Sequence, residues 1–183
     1  MVPKPFMEIF PATIPLDRLQ QKVVLSTGGE LDITPAPVTG EYEVIRPSYE
    51  AALPISMADL GPTAVAPLGR IVHARSGDKA DNFNVGLWVR HEDEYPWLKL
   101  FLTVDMLEEL LEDDWRPNQY GRYSEVERCE FPNLLAVHFR VLDFLGGGIA
   151  SSSRVDGLGK GIGEYLRSKL VSIPVEFMER EPI

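Results

Sequence analysis

Apolar and polar positions alternate with a period of two over Phe83, Val85, Leu87 and Val89, with Asn84, Gly86 and Trp88 between them, which predicts a strand over 83–90. A shorter apolar run predicts a strand over 68–74. The polar stretch His73 to Asn82 is then expected as the loop joining the two. Within 94–113, Trp97, Leu98, Phe101, Leu102, Leu107, Leu110 and Leu111 recur at helical spacing. A break is expected near Thr103, where Thr103-Val-Asp-Met106 caps a second helix. Strands follow over 122–131 and 134–144, separated by the hairpin signal Pro132-Asn133, and Gly146-Gly-Gly148 ends the second of them. Ile162, Tyr165, Leu166 and Leu170 predict a helix over 158–170. The closing run 171–178 reads as a strand whose Pro174 is tolerated mainly at a sheet edge.

Leaving out the strand at 68–74, the order is β-α-β-β-α-β, the ferredoxin-like plan of an α+β domain with an antiparallel sheet. In that plan the first and third strands are antiparallel neighbours at the centre. The start of the first (Phe83) and the end of the third (Phe144) therefore lie at one end, bringing the stretch His73 to Asn82 toward the segment Gly146 to Lys160. Residues 1–66 read differently, because Pro3, Pro5, Pro11, Pro15, Pro35, Pro37, Pro47, Pro54 and Pro62 interrupt every pattern. We expect short elements at 6–10, 16–25 and 41–45 within a proline-rich arm over 1–66, an α+β domain over 67–178, and a tail over 179–183.

The 44% hydrophobic content supplies a core, and 183 residues suit one domain with added segments. A formal net charge of −10 argues against a nucleic-acid partner, which requires clustered Lys and Arg. No apolar run is long enough to span a bilayer, and the first residues lack the apolar core of a signal peptide. A soluble cytoplasmic protein with no membrane partner is the expectation. The single Cys129 has no second Cys at ligand spacing, which fits a reducing compartment and a packed thiol.

Functional groups are densest between His73 and Asn82. His73 is a candidate general acid or base, with Asp78 or Asp81 to orient it; the alternative is a hydrogen-bonded histidine at a strand end. Ser76 matches no nucleophile motif and reads as a turn residue. Arg75, Lys79, Arg154 and Lys160 can join the N-terminus of the last helix in an anion-accepting pocket. The glycines at 157, 159, 161 and 163 match no nucleotide-binding pattern, so tight turns and close packing explain them equally well. His91 beside Glu92-Asp-Glu94 and His138 within a strand lack metal-ligand spacing. Neither a protein-held metal nor a cofactor is expected.

At Leu68-Gly-Arg-Ile-Val-His-Ala-Arg-Ser-Gly-Asp-Lys79, Asn82-Phe-Asn-Val-Gly86, Tyr95-Pro-Trp-Leu98, Glu130-Phe-Pro-Asn-Leu134, Leu145-Gly-Gly-Gly148 and Asp156-Gly-Leu-Gly-Lys160 the chain resembles a known family. It is similar to the C-terminal ferredoxin-fold domain of the acyclic terpene utilisation (AtuA-like) proteins, over roughly 66–178. Pro5-Phe-Met-Glu-Ile-Phe-Pro11 also resembles the segment that ends their large N-terminal domain. The chain departs from the family pattern at Ala80, where Gly is common.

The resemblance implies an accessory or ligand-binding domain linked to breakdown of acyclic terpenes and related branched acyl compounds, with carboxylate, acyl or CoA-type ligands. It also adds Ser76, Asn82, Asn84, Gly147, Gly148 and Asp156 as motif positions to the expected ligand-binding set. The upstream domain of such proteins is expected as a partner, which would make the chain a C-terminal piece or a stand-alone derivative. One alternative is a lyase, hydratase or isomerase in which His73 and an Asp move protons while Arg75 and Lys79 hold a carboxylate or enolate. Another is a structural interface for the larger domain. Exposed sheet edges and the arm lead to an expected homo-oligomer.

Overall fold

A computed structural model of the chain describes residues 12–35, 38, 40, 41, 43, 56–149 and 151–181, and the chain divides into two units, Met1–Val44 and Ile45–Ile183. In the first unit, strands β1 (Gln21–Val24) and β2 (Glu30–Ile33) form an antiparallel hairpin. Lys22 and Glu30 form an ion pair of 2.9 Å across it. The short element expected at 6–10 lies outside the described residues, as does most of that expected at 41–45.

The second unit runs β3 (Thr63–Pro67), β4 (His73–Lys79), β5 (Asn82–Trp88), α1 (Tyr95–Phe101), α2 (Val104–Leu111), β6 (Val126–Phe131), β7 (Ala136–Val141), α3 (Ile162–Arg167), β8 (Leu170–Pro174) and α4 (Val175–Met178). Four strands make one antiparallel sheet in the order β4-β5-β7-β6. Its register puts Phe83 opposite Val141, Val85 opposite Phe139 and Leu87 opposite Val137. These six side chains are fully buried on one face, where Trp97, Leu98, Leu107, Leu111 and Leu166 cover them. The helix break falls where expected: the Thr103 hydroxyl accepts from Met106 N at 3.1 Å.

The core also encloses Arg128. Its Nε donates to Leu102 O at 2.7 Å, one terminal nitrogen donates to Lys99 O at 3.0 Å, and the other pairs with Glu130 at 2.9 Å. The guanidinium thus satisfies carbonyls left open at the end of α1, so its burial leaves no donor unmatched among these contacts.

Two sequence expectations are corrected. The strand over 68–74 is a 3-10 turn at Leu68–Arg70, and the stretch expected as a polar loop is strand β4. The alternation of β4 is hidden because it is an edge strand with polar residues on both faces. The closing strand also differs. β8 ends at Pro174, gives way to α4, and pairs with β3 in a separate two-stranded sheet. The place beside β5 is taken by β4, which reaches it through a two-residue turn, whereas a strand arriving from the far end of the chain closes a much longer loop. The mixed, antiparallel architecture remains consistent with a ferredoxin-like fold. Residues 63–66, expected in the arm, are sheet residues of the second unit. The expected tail is held at its start, since Arg70 donates to Met178 O and Arg180 O at 2.6 and 2.9 Å, and Arg180 pairs with Asp93 and Glu94.

The β4-β5 turn is Ala80-Asp81, and Ala80 has a φ of 57°, a left-handed conformation that L-residues adopt at a cost and glycine adopts freely. We expect Ala80→Gly to stabilise the fold by about 0.5–1 kcal/mol, the strain removed outweighing the added unfolded-state entropy. Thermal unfolding checks this: the midpoint should rise by a few degrees, and a fall would show that the turn tolerates alanine without strain.

Candidate functional site

Strand β4 and the segment leading into α3 are clamped together by Ser76. Its buried hydroxyl donates to Lys160 O at 3.1 Å and accepts from Gly163 N at 2.9 Å. Gly163 permits this approach, because a Cβ there would lie 3.3 Å from Ala74 Cβ and 3.4 Å from Ser76 Oγ. Asp156 takes the neighbouring amides, Oδ1 accepting from Lys160 N at 3.0 Å and Oδ2 from Gly161 N at 2.7 Å. The helix N-terminus expected to receive an external anion is therefore already occupied by oxygens of the chain itself.

Other expected site residues brace the loops. Asp81 Oδ1 accepts from Gly147 N at 2.7 Å, and Asn82 Oδ1 accepts from Asp143 N at 2.8 Å. Gly148 sits so close to the turn that a Cβ would lie 2.8 Å from Ala80 O, and its φ is 74°. Glycine alone fits both conditions.

His73 stands apart from these groups. It begins β4, whereas Asp78 is five residues along the extended strand, roughly 17 Å away, and Asp81 lies beyond it. The ring stacks on Trp88 at 5.3 Å, and Nε2 accepts from Arg90 Nε at 3.2 Å. Burial, then the charges of Arg90 and Arg167, lower its pKa, so the imidazole is neutral near pH 7. The expected His–Asp couple is not assembled.

Two depressions receive the rest. One is a groove of about 370 Å³ on the face of the sheet opposite the core. Gly77 and Gly86 form its floor, with Arg75, Lys79, Asn84, His138 and Lys160 around them. The Lys160 ammonium reaches it because residue 77 has no side chain: a Cβ there would lie 3.1 Å from Lys160 Nζ. His138, whose pKa burial lowers, has Nδ1 3.8 Å from the Cys129 thiol.

The other is a pocket of about 370 Å³ between α2, α3 and the loop after Phe144. Leu111, Phe144, Ile162 and the Tyr165 ring give it apolar walls, and Arg116 and Arg154 bring positive charge. The Arg154 guanidinium stacks over Phe144 at 4.0 Å. Its side chain is only 14% exposed, and its carboxylate neighbour Asp114 is 3.9 Å away. Burial, and after it the charge of Arg116, lower the Arg154 pKa.

A family model described as the AtuA ferredoxin-like domain matches residues 66–172, more than half of the chain. The chain belongs to this family. No curated protein and no solved structure matches it.

On this AtuA ferredoxin-like domain, the set of site residues expected from sequence is split. Arg75, Lys79, Asn84 and Lys160 line the groove, Arg154 and Asp156 line the pocket, and Ser76, Asp81, Asn82, Gly147 and Gly148 make structural contacts. Ser76 and Asp156 do both, touching a depression while holding the α3 entry. Sequence reading missed Gly77, Gly86 and His138, although the alternation of β5 places Gly86 on the face opposite Val85. It also missed Phe144, Ile162 and Tyr165 as pocket walls, since an apolar residue in sequence looks the same in a core and in a pocket. Among the described residues, no group of three or more His, Cys, Asp or Glu side chains is placed to hold a metal.

Ser76→Ala leaves the Gly163 amide buried without its acceptor, and should cost about 1–3 kcal/mol. Urea unfolding reads this as a lower midpoint at unchanged slope; an unchanged midpoint would remove Ser76 as the clamp. The histidines predict a pH effect. His73 and His138 have pKa values below the ordinary 6.5, so in the window below 6.5 the unfolded chain binds more protons than the folded one. Stability should therefore fall as pH drops through that window. Imidazole titration by NMR checks the cause, with both midpoints expected below that of free histidine.

Proposed function

We propose that this AtuA ferredoxin-like domain is a ligand-binding domain for small acids with an apolar acyl or alkyl body, taken up in the pocket beside Phe144. The observation that carries this reading is Arg154, a largely buried cation whose nearest carboxylate, at 3.9 Å, is too far for a close ion pair. A carboxylate entering the pocket gives Arg154 a closer partner than Asp114, and a guanidinium is suited to bind it through two parallel hydrogen bonds. The apolar body then displaces water from Leu111, Phe144 and Ile162. The family resemblance, to proteins linked to acyclic terpene and branched-acyl breakdown, suggests branched acids as the ligand class. The proton-transfer reading draws no comparable support, because neutral His73 lies at the opposite end of β4 from Asp78 and Asp81.

Calorimetric titration with a branched medium-chain acid and with the corresponding alcohol tests the proposal. The acid should bind tighter by about 1.5–3 kcal/mol, roughly tenfold to 150-fold. Arg154→Ala should erase that preference while the alcohol's affinity stays similar. Equal binding of acid and alcohol to the unaltered protein would defeat the proposal.

A further inference from the structure

We infer that the groove floored by Gly77 and Gly86 is a second binding site, separate from the acid pocket, for a phosphate-type dianion. The local charge supports this. Arg75, Lys79 and Lys160 bring three positive charges to the groove and Asp78 one negative, leaving an excess of two. That excess stands on a chain whose formal net charge is −10, so it is a local reversal of sign and draws anions to this face.

The cations are also left available. Elsewhere in the same unit, Arg128, Arg140, Arg167 and Lys169 each hold a carboxylate at 2.6–2.9 Å. The side chains of Arg75 and Lys79 have no hydrogen bond or ion pair to the described residues, and Lys160 is 4.0 Å from Asp78. Glu127, on the same face, is paired with Arg140 at 2.7 Å.

The floor is shaped for close approach. Missing side chains at 77 and 86 expose backbone between the cations, and the register places them diagonally, Gly77 opposite Asn84 and Gly86 opposite both Arg75 and His138. A guanidinium offers a planar fork, two ammonium groups offer point charges, and the Asn84 amide offers a neutral donor. His138 completes the rim. A Cys129 thiol that donates to Nδ1 leaves the ring proton on Nε2, and Cδ2, beside that nitrogen, is the atom nearest the space above Gly86. A tetrahedral dianion can use all of these groups together, whereas a single carboxylate neutralises only half of the excess.

Gly86→Ala is a suitable test because its Cβ would lie 3.8 Å from His138 Cδ2, an ordinary contact, so it fills the floor without disturbing the sheet. Titration of the full chain with inorganic phosphate at fixed ionic strength, followed by amide NMR, should give saturable shifts at Gly77, Asn84 and Gly86. Gly86→Ala and Lys160→Met should each weaken binding by at least about tenfold. Arg154→Ala should bind phosphate like the unaltered protein, which separates this site from the acid pocket. Shifts that fail to saturate, equal affinity in Gly86→Ala, or loss of binding in Arg154→Ala would each overturn the inference.

Discussion

The two hydrogen bonds of the Ser76 hydroxyl join β4 to a segment more than eighty residues later in the chain, and both depressions depend on that junction. Its acceptance from Gly163 N and donation to Lys160 O hold the Asp156 to Gly161 turn against the sheet edge. With the turn in place, Lys160 lies over Gly77 and contributes its charge to the groove. Arg154, only a few residues upstream, enters the pocket and stacks on Phe144. A hydroxyl can make both bonds because it donates and accepts at once, and the site is buried enough that water does not compete for them.

The glycines around the junction perform different tasks. Gly163 lets the helix approach β4, Gly148 lets a loop approach Ala80, and Gly77 leaves room for a lysine side chain. Asp156 consumes the amides that would otherwise make the α3 entrance an anion site. Positive charge is therefore presented by side chains on two separate surfaces, the groove on the face away from the core and the pocket between α2 and α3. One gathers three cations around a glycine floor. The other sets Arg116 and Arg154 beside apolar walls, the combination on which the acid-binding proposal rests.

Much of the core could be read from the sequence. Phe83, Val85 and Leu87 alternate, the helical run breaks at Thr103, and Pro132-Asn133 marks the β6-β7 hairpin, all through local periodicity or local turn chemistry. Arg75, Lys79, Arg154 and Lys160 are recognisable in sequence as cations able to meet an anion, because their residue types are informative. Their division between two depressions was not recognisable, since it depends on which face of β4 each side chain leaves and on where the last loop folds back. His73 was misleading for the same reason. Proximity in sequence to Asp78 becomes separation once the stretch is extended.

The sequence by itself determined the antiparallel α+β character, the main core face and the family, because these rest on periodic patterns and ordered motifs spread over more than half of the chain. Only the tertiary structure decided that β4, and not the closing strand, stands beside β5, and that β8 pairs instead with β3. Edge-strand identity is a competition between distant segments for the same backbone hydrogen bonds, and local pattern carries little information about its outcome. The same holds for the sites, whose walls are built from residues that meet only after that competition has been resolved.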